Sequence, residues 1–413
     1  MLLRAALFKS GNALMECLLQ KSAGHIDADY QPKPGQHYKG PAELDVNTIF
    51  GGFVMSRNYW YDPKKKEGHF PVDCALALEA GHSPALTRLV CLEGIDEPSF
   101  EKAQEHLRET GGIEISSRQI QRLVQRVGPG AKDWPEREAR PEPCDAPIMY
   151  ASGDGSGVTM RPEELVGRKG KQTDGSAKTR LAYLGCIFTQ HKRDEKGHPI
   201  RDHDSTTYIS SFGTSEDFGL LLRKEGQRRG SGTAGKIILL IDGAASLEKL
   251  GEINFANGLQ IVDFYHALEH VKELLEALWG KGHCDFKMQY SRWKKLLLKD
   301  GVQKIINQAR QWNTSPARDE VEKALGYFVR NIKRMQYGTF RKAGYFIGSG
   351  VIEAGCKTVI GSRCKQSGMR WSEKGAENVI ALRCVRSSRQ WDNFWKCRAN
   401  EHAARNDALP LAA

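Results

Sequence analysis

Apolar positions along this 413-residue chain recur with two different periods, and the change of period divides it. From 83 to 127 the spacing is helical. Ser83-Pro84 opens one helix with Leu86, Leu89 and Val90 on a face, and a second covers 99–109. A third follows Ser116 and carries Ile120, Leu123, Val124 and Val127 as one stripe. Gln119 stands three residues after Ser116, a capping-box spacing. The opposite face holds Arg118, Gln121, Arg122, Gln125 and Arg126. From 147 the runs shorten into strands near 147–153, 182–190 and 205–212, then a helix over 215–228. Lys236–Ile241 predicts a buried strand, 246–252 a helix, and Leu259–Val262 another strand. Helical composition returns over 264–340, a final helix is expected over 349–364, and more helix over 373–389. Upstream, 26–45 reads as irregular and 46–73 as short strand segments with a turn at Asp62–Gly68.

Three neighbouring strands followed by a strand–helix–strand step match a ribonuclease-H-like order. In that order the ends of the first and fourth strands lie side by side. The expected class is therefore α/β: a ribonuclease-H-like catalytic domain with an all-helical insertion, after a mainly helical N-terminal DNA-binding region. The expected boundaries are 1–82, with a short helix and a small β segment, and 83–130, helix-turn-helix-like. A proline-rich linker covers 131–146. The catalytic domain takes 147–265 plus 346–400, and the insertion 266–345. A lone basic helix face, such as that of Arg118, Arg122 and Arg126, reads equally as solvated surface.

Charge narrows the partner. The net charge of +11 favours a polyanion. No apolar run reaches the roughly 20 residues of a membrane span, and Met1–Phe8 reads as the start of a short amphipathic helix, so a cytoplasmic protein without a membrane partner is expected. The ten cysteines include no Cys-x-x-Cys pair, which excludes zinc-ribbon spacing and points to reduced thiols.

Three carboxylates then stand out, each beside glycines: Asp154 in Ser152–Gly157, Asp242 in Leu240–Ala244, and Glu353 in Gly348–Gly355. The first two end apolar runs and the third opens a helix. An Asp-Gly after a strand is commonly a turn, and a first-turn Glu is favoured by the helix dipole alone. Their combination in this order reads as a site for two divalent ions, Mg2+ or Mn2+. Such ions, about 3.5–4 Å apart, neutralise the attacking and leaving oxygens of a phosphodiester. The adjacent glycines would leave room for a phosphate backbone.

His266-x-x-Glu269-His270 matches an inverted zinc-peptidase pattern, which gives a zinc metallopeptidase as a third reading. Alternatively Asp263 and His266 sit at the mouth of the carboxylate site, or both histidines simply pack. Arg168, Lys169 and Lys171 form a cationic loop soon after Asp154. Arg363, Lys365, Arg370 and Trp371 make the densest piece of a basic stretch interleaved with tryptophans, which suits phosphate contact and base stacking. Trp391 and Trp395 read as buried.

Taken together, these segments resemble a bacterial insertion-sequence transposase of the DDE type, nearest the Kra-type family and related to the Mutator-like group. The resemblance covers about 147–397. It is carried by Asp154–Val158, Gly167–Lys171, Asp174–Arg180, Leu184–Gln190, Asp242–Ala244, Val262–His266, Gly348–Lys357, Lys365–Met369 and Trp371. Asp62–Gly68 lacks the cysteines of the metal knuckle that many relatives carry there. The resemblance implies Asp154, Asp242 and Glu353 as catalytic and metal-holding residues, with Asp263 and His266 as an auxiliary Asp-x-x-His motif. It implies nicking at transposon ends and attack of the freed 3′-hydroxyl on target DNA. The implied partners are double-stranded terminal repeats, target DNA and a second copy of the chain or a higher oligomer, in a nucleoid-associated setting. The alternative is a transposase-derived DNA-binding protein that has lost catalysis.

Overall fold

The computed structural model describes residues 2–134, 143–170, 172–173, 175–243, 245–312 and 318–404. It forms two compact units, Met1–Ala131 with Gln390–Ala413, and Lys132–Arg389.

In the first unit, α1 (Leu2–Asp29) is a long helix rather than the short one expected. The segment after it is also more regular than its prolines suggested. β1 (His37–Thr48) and β2 (Gly51–Asp62) form a hairpin, and β3 (Glu67–His69) pairs with β2. Pro41 is accommodated because β1 is an edge strand with a register shift between Tyr38 and Gly40. The hairpin packs on α1 around Ala23, Val46 and Met55, joined by Val72 from α2 (Pro71–Ala75) and by Leu78.

Three helices follow. Ser83 caps α3 (Pro84–Asp96) and Ser99 caps α4 (Phe100–His106). In α5 (Ser117–Lys132) the expected capping box is present: Gln119 N donates to Ser116 Oγ at 3.3 Å and Ser116 N to Gln119 Oε1 at 3.0 Å. Ile120, Leu123, Val124 and Val127 are buried, and Arg118, Gln121, Arg122 and Arg126 are exposed. α3 and α5 cross at Gly94, where a Cβ would lie 2.9 Å from both Ile120 and Val124.

The second unit is built on a five-stranded mixed sheet of order β10-β9-β4-β5-β8. β4 (Ile148–Thr159), β5 (Thr179–Gln190) and β8 (Thr207–Ser211) are antiparallel neighbours, with β6 (Lys192–Arg193) and β7 (Pro199–Ile200) a small separate ribbon. α6 (Ser215–Arg228) lays Phe218 and Leu222 on the sheet. β9 (Ile237–Ile241) pairs parallel to β4, and α7 (Ala245–Asn254) leads to β10 (Leu259–Val262), parallel to β9.

A wholly helical stretch then intervenes: α8 (Phe264–Trp279), α9 (Phe286–Leu297), α10 (Val302–Trp312), α11 (Arg318–Asn331) and α12 (Tyr337–Lys342). The chain returns to the sheet at α13 (Gly350–Gly355). The single helix expected over 349–364 is instead interrupted by a π-helical turn, Cys356–Gly361. α14 (Glu373–Ser387) packs along β8, and α15 (Trp391–Ala404) belongs to the first unit, with Trp391 and Trp395 buried. All ten cysteines are free thiols. Among the described residues no helix is long and apolar enough to cross a membrane.

Candidate active site at the strand ends

Register places the acids. Ser152 pairs with Leu240 across β4 and β9, so Asp154 and Asp242 each stand two residues past the same rung. Side chains alternate along a strand, so the two carboxylates leave the sheet on one side. Val262 pairs with Ile241, which puts Asp263 level with Asp242 on the next strand. Asp154 thus lies within β4, paired with Leu184 of β5, rather than ending its strand as expected, because β4 continues to Thr159, while Asp242 and Asp263 directly follow the neighbouring strands β9 and β10. Ser152 Oγ locks the rung beneath Asp154 and Asp242 by donating to Leu240 O at 2.8 Å.

Their environments differ. Asp154 and Asp242 are half-buried, whereas Asp263 is wholly buried. Asp263 caps α8 by accepting from His266 N at 2.7 Å, and its other oxygen accepts from Ser349 N at 2.5 Å. Burial pushes the Asp263 carboxyl up, but hydrogen bonds from His266 and Ser349 outweigh it and hold it below the ordinary range. The His266 ring lies 3.5 Å from the same carboxylate. That partner raises the imidazole to about 9, against its own burial, with Glu269 and Asp242 adding to the rise.

Glu353 is joined to this group through Ser349, whose hydroxyl donates to Glu353 Oε1 at 2.9 Å. One buried aspartate therefore ties the start of α8 to the start of the helix that carries the glutamate. The next turn of that helix reaches Asp154. Burial, the Asp154 charge and a hydrogen bond from the thiol to Asp154 push Cys356 up to about 12. The approach is close: a Cβ on Gly355 would lie 2.6 Å from the Tyr208 ring. Gly153 is filled likewise by Phe218 at 2.7 Å, so these two glycines serve packing rather than room for a phosphate.

α11 holds the turn that carries Asp242. Tyr327 Oη donates to Asp242 O at 2.9 Å, and the fully buried Asn331 donates to Gly243 O at 3.3 Å. Gly243 has φ +82°, and a Cβ there would meet Tyr327 Oη at 2.7 Å. Ser349, Cys356, Tyr327 and Asn331 were not expected from sequence. Ser349 had a cue in its i, i+4 spacing to Glu353; the others had none.

The donor set of Asp154, Asp242 and Glu353 is all carboxylate oxygen, the chemistry that suits Mg2+ or Mn2+. As a group these donors do not crowd within 4.8 Å of one another. Among the described residues such clusters occur only at His283–Cys284–Asp285 and Glu93–Glu97–His106. His266, Glu269 and His270, the residues of the zinc-peptidase pattern, are not gathered into such a cluster. His270 pairs with Glu273 at 2.7 Å and stacks on Tyr327, while His266 is held by Asp263.

The expected DNA-facing residues divide. Arg168 and Lys169 are exposed in the loop joining β4 to β5, and Lys171 lies outside the described residues. Lys365 and Arg370 are exposed. Arg363 is 1% exposed and Trp371 6%, with the guanidinium 5.0 Å from the indole ring, so neither faces solvent. Trp371 is fixed to the end of β4 by backbone hydrogen bonds to Thr159 and Arg161.

No family model matches the chain, and no curated protein matches it. Among the solved structures that match, a Drosophila P element transposase strand transfer complex aligns over 77% of this chain and 80% of its own. The identity is 11% and the TM-score 0.27, a likeness too slight to carry an argument.

Proposed function

We propose that the chain is a DDE-type DNA transposase with a ribonuclease-H-like catalytic core. One observation carries the reading: Asp154 within β4 and Asp242 just past the parallel β9 each stand two residues beyond the Ser152–Leu240 rung, with Glu353 linked to the same group through Ser349 and Asp263. The sheet order, three antiparallel strands followed by two parallel ones, supports the core assignment. So does the helical stretch between β10 and Glu353.

Asp154, Asp242 and Glu353 would hold Mg2+ or Mn2+, two ions per site, supplying Lewis-acid charge and an activated oxygen nucleophile. The chain's own contribution is positioning. Asp263 fixes Ser349, and Ser349 orients one oxygen of Glu353. Tyr327 and Asn331 fix the turn under Asp242, and the Cys356 thiol engages Asp154. His266, kept cationic by Asp263, is suited to a phosphate oxygen at the mouth of the site. Terminal repeats and target DNA are the proposed substrates, and a homodimer or higher oligomer would hold two ends together.

The test uses the full chain with plasmid DNA carrying the genomic segments that flank its gene on either side. Wild type is expected to nick and join 3′ ends in Mg2+ or Mn2+, and Glu353→Gln to bind the same DNA without joining it. Binding with no cleavage in either metal would replace this reading with a catalytically silent DNA-binding protein.

A further inference from the structure

The helical stretch contains a groove that the strand-end chemistry does not use. α9 and α10 flank an open groove of about 380 Å3 lined by Gln289, Arg292, Lys295, Lys299, Gln308 and Trp312 among others. No carboxylate stands among its lining residues. From Phe286 to Trp312 the chain has seven Lys/Arg against one acid, Asp300. That acid is committed elsewhere: its carboxylate accepts from Gly338 N at 2.6 Å and from Thr339 Oγ at 2.8 Å.

The three cations are exposed, while Gln289 is buried and Trp312 half-buried. Gln308 Oε1 accepts the Trp293 indole N–H at 2.8 Å, so its amide nitrogen remains a donor. Arg292, Lys295 and Lys299 recur at i, i+3 and i+7. Arg292 and Lys295 stand on α9 and Lys299 in the turn that follows it, so the cations extend along one side of the groove.

We propose that this groove binds a single DNA strand, with phosphates on Arg292, Lys295 and Lys299 and a sugar or base edge against Gln289, Gln308 and Trp312. Trp312 is itself packed against Trp293 and Trp279 and offers the groove an edge rather than a free face, so the preference for an unpaired strand rests on the amides of Gln289 and Gln308, which can meet base edges that a duplex would hide. The choice of DNA rests on the function proposed above, but the groove's chemistry does not involve the carboxylates.

The experiment is therefore metal-free. Binding of the full chain to a labelled single-stranded oligonucleotide is followed by fluorescence anisotropy in EDTA over a range of salt concentrations. Reversal of Arg292, Lys295 and Lys299 to Glu should weaken binding at least ~10-fold and lower the salt slope by about 2. The milder triple change to Gln should act in the same direction, with thermal unfolding unchanged in both. An unaltered slope, a loss confined to duplex DNA, or inorganic phosphate competing as well as the strand would each overturn the proposal. A chain that never cleaves DNA yet loses strand binding on reversal would keep the groove and lose only the catalytic reading.

Discussion

The acidic group of Asp154 on β4 with Asp242 and Asp263 past β9 and β10, and the segment 362–371 bearing Arg363 and Arg370, are both dense in charge, but the fold places that charge at different depths. In the acidic group a shared rung lines up the acids, with Asp154 and Asp242 half-open. Asp263, the buried one, is compensated by two backbone N–H groups and an imidazole. In 362–371 the order is reversed. Arg363 is inside, over Trp371, with Nη1 3.7 Å from Met369 Sδ, while Lys365 and Arg370 remain outside. Charge that stays half-open is available to a ligand. Charge that is buried and compensated holds the fold.

The largest effect should separate the two regions outright. Asp242→Asn keeps the shape of the strand end and removes one carboxylate charge. If the half-open acids carry chemistry, metal-dependent joining falls by roughly a thousandfold, the several kcal/mol expected of a metal-held transition-state charge. The unfolding midpoint should fall far less than the activity, because Tyr327 still holds the turn through the Asp242 backbone carbonyl. A large drop in stability with proportionate activity would place Asp242 in the structural class instead. Arg363→Ala should do the reverse: about 3 kcal/mol of stability lost, read by urea denaturation. The salt slope of DNA binding should stay the same. A changed slope at full stability would mean that Arg363 reaches DNA.

The same contrast explains what the sequence could disclose. The acids were legible because they follow continuous apolar runs that read as buried strands, and the α5 stripe because Ile120, Leu123, Val124 and Val127 leave one helical pattern. Depth at 363–371 was not legible. Arg363, Lys365 and Arg370 look alike in a line, and only the π-helical turn at Cys356–Gly361 and the pairing of Trp371 with β4 decide which turns inward. Ser349, Tyr327 and Asn331 act through contacts 85 to 88 residues away in the chain, beyond any local pattern.

A smaller effect tests the compensation of Asp263. His266 has its pKa raised from 6.5 to about 9 by that partner. Its contribution to stability should be complete below pH 6.5 and disappear as pH rises through 9. On the acid side Asp263, held below 3.8, should contribute above that value and lose its contribution as pH falls through its lowered one. The stability gap between wild type and His266→Gln, from denaturation at several pH values, should therefore be widest between about 4 and 6.5 and close above 9. A gap constant across that range would mean packing, not charge, is what His266 supplies.

The smallest effect concerns Lys365, the exposed neighbour of buried Arg363. Its side chain is open, and its backbone N–H is committed to Gly361 O at 3.1 Å. Removing the side chain should leave both the turn and the stability intact. If Lys365 neutralises one phosphate of a duplex, Lys365→Ala should lower the salt slope by about 0.9, equally for any DNA sequence. Lys365→Arg should restore it, since a phosphate needs only the cation. Measured beside Arg363→Ala, the two outcomes form a pair: slope without stability at 365, stability without slope at 363. If both variants changed only stability, the whole segment would be packing, and DNA contact on this unit would have to come from Arg168, Lys169, Arg370 or the groove between α9 and α10.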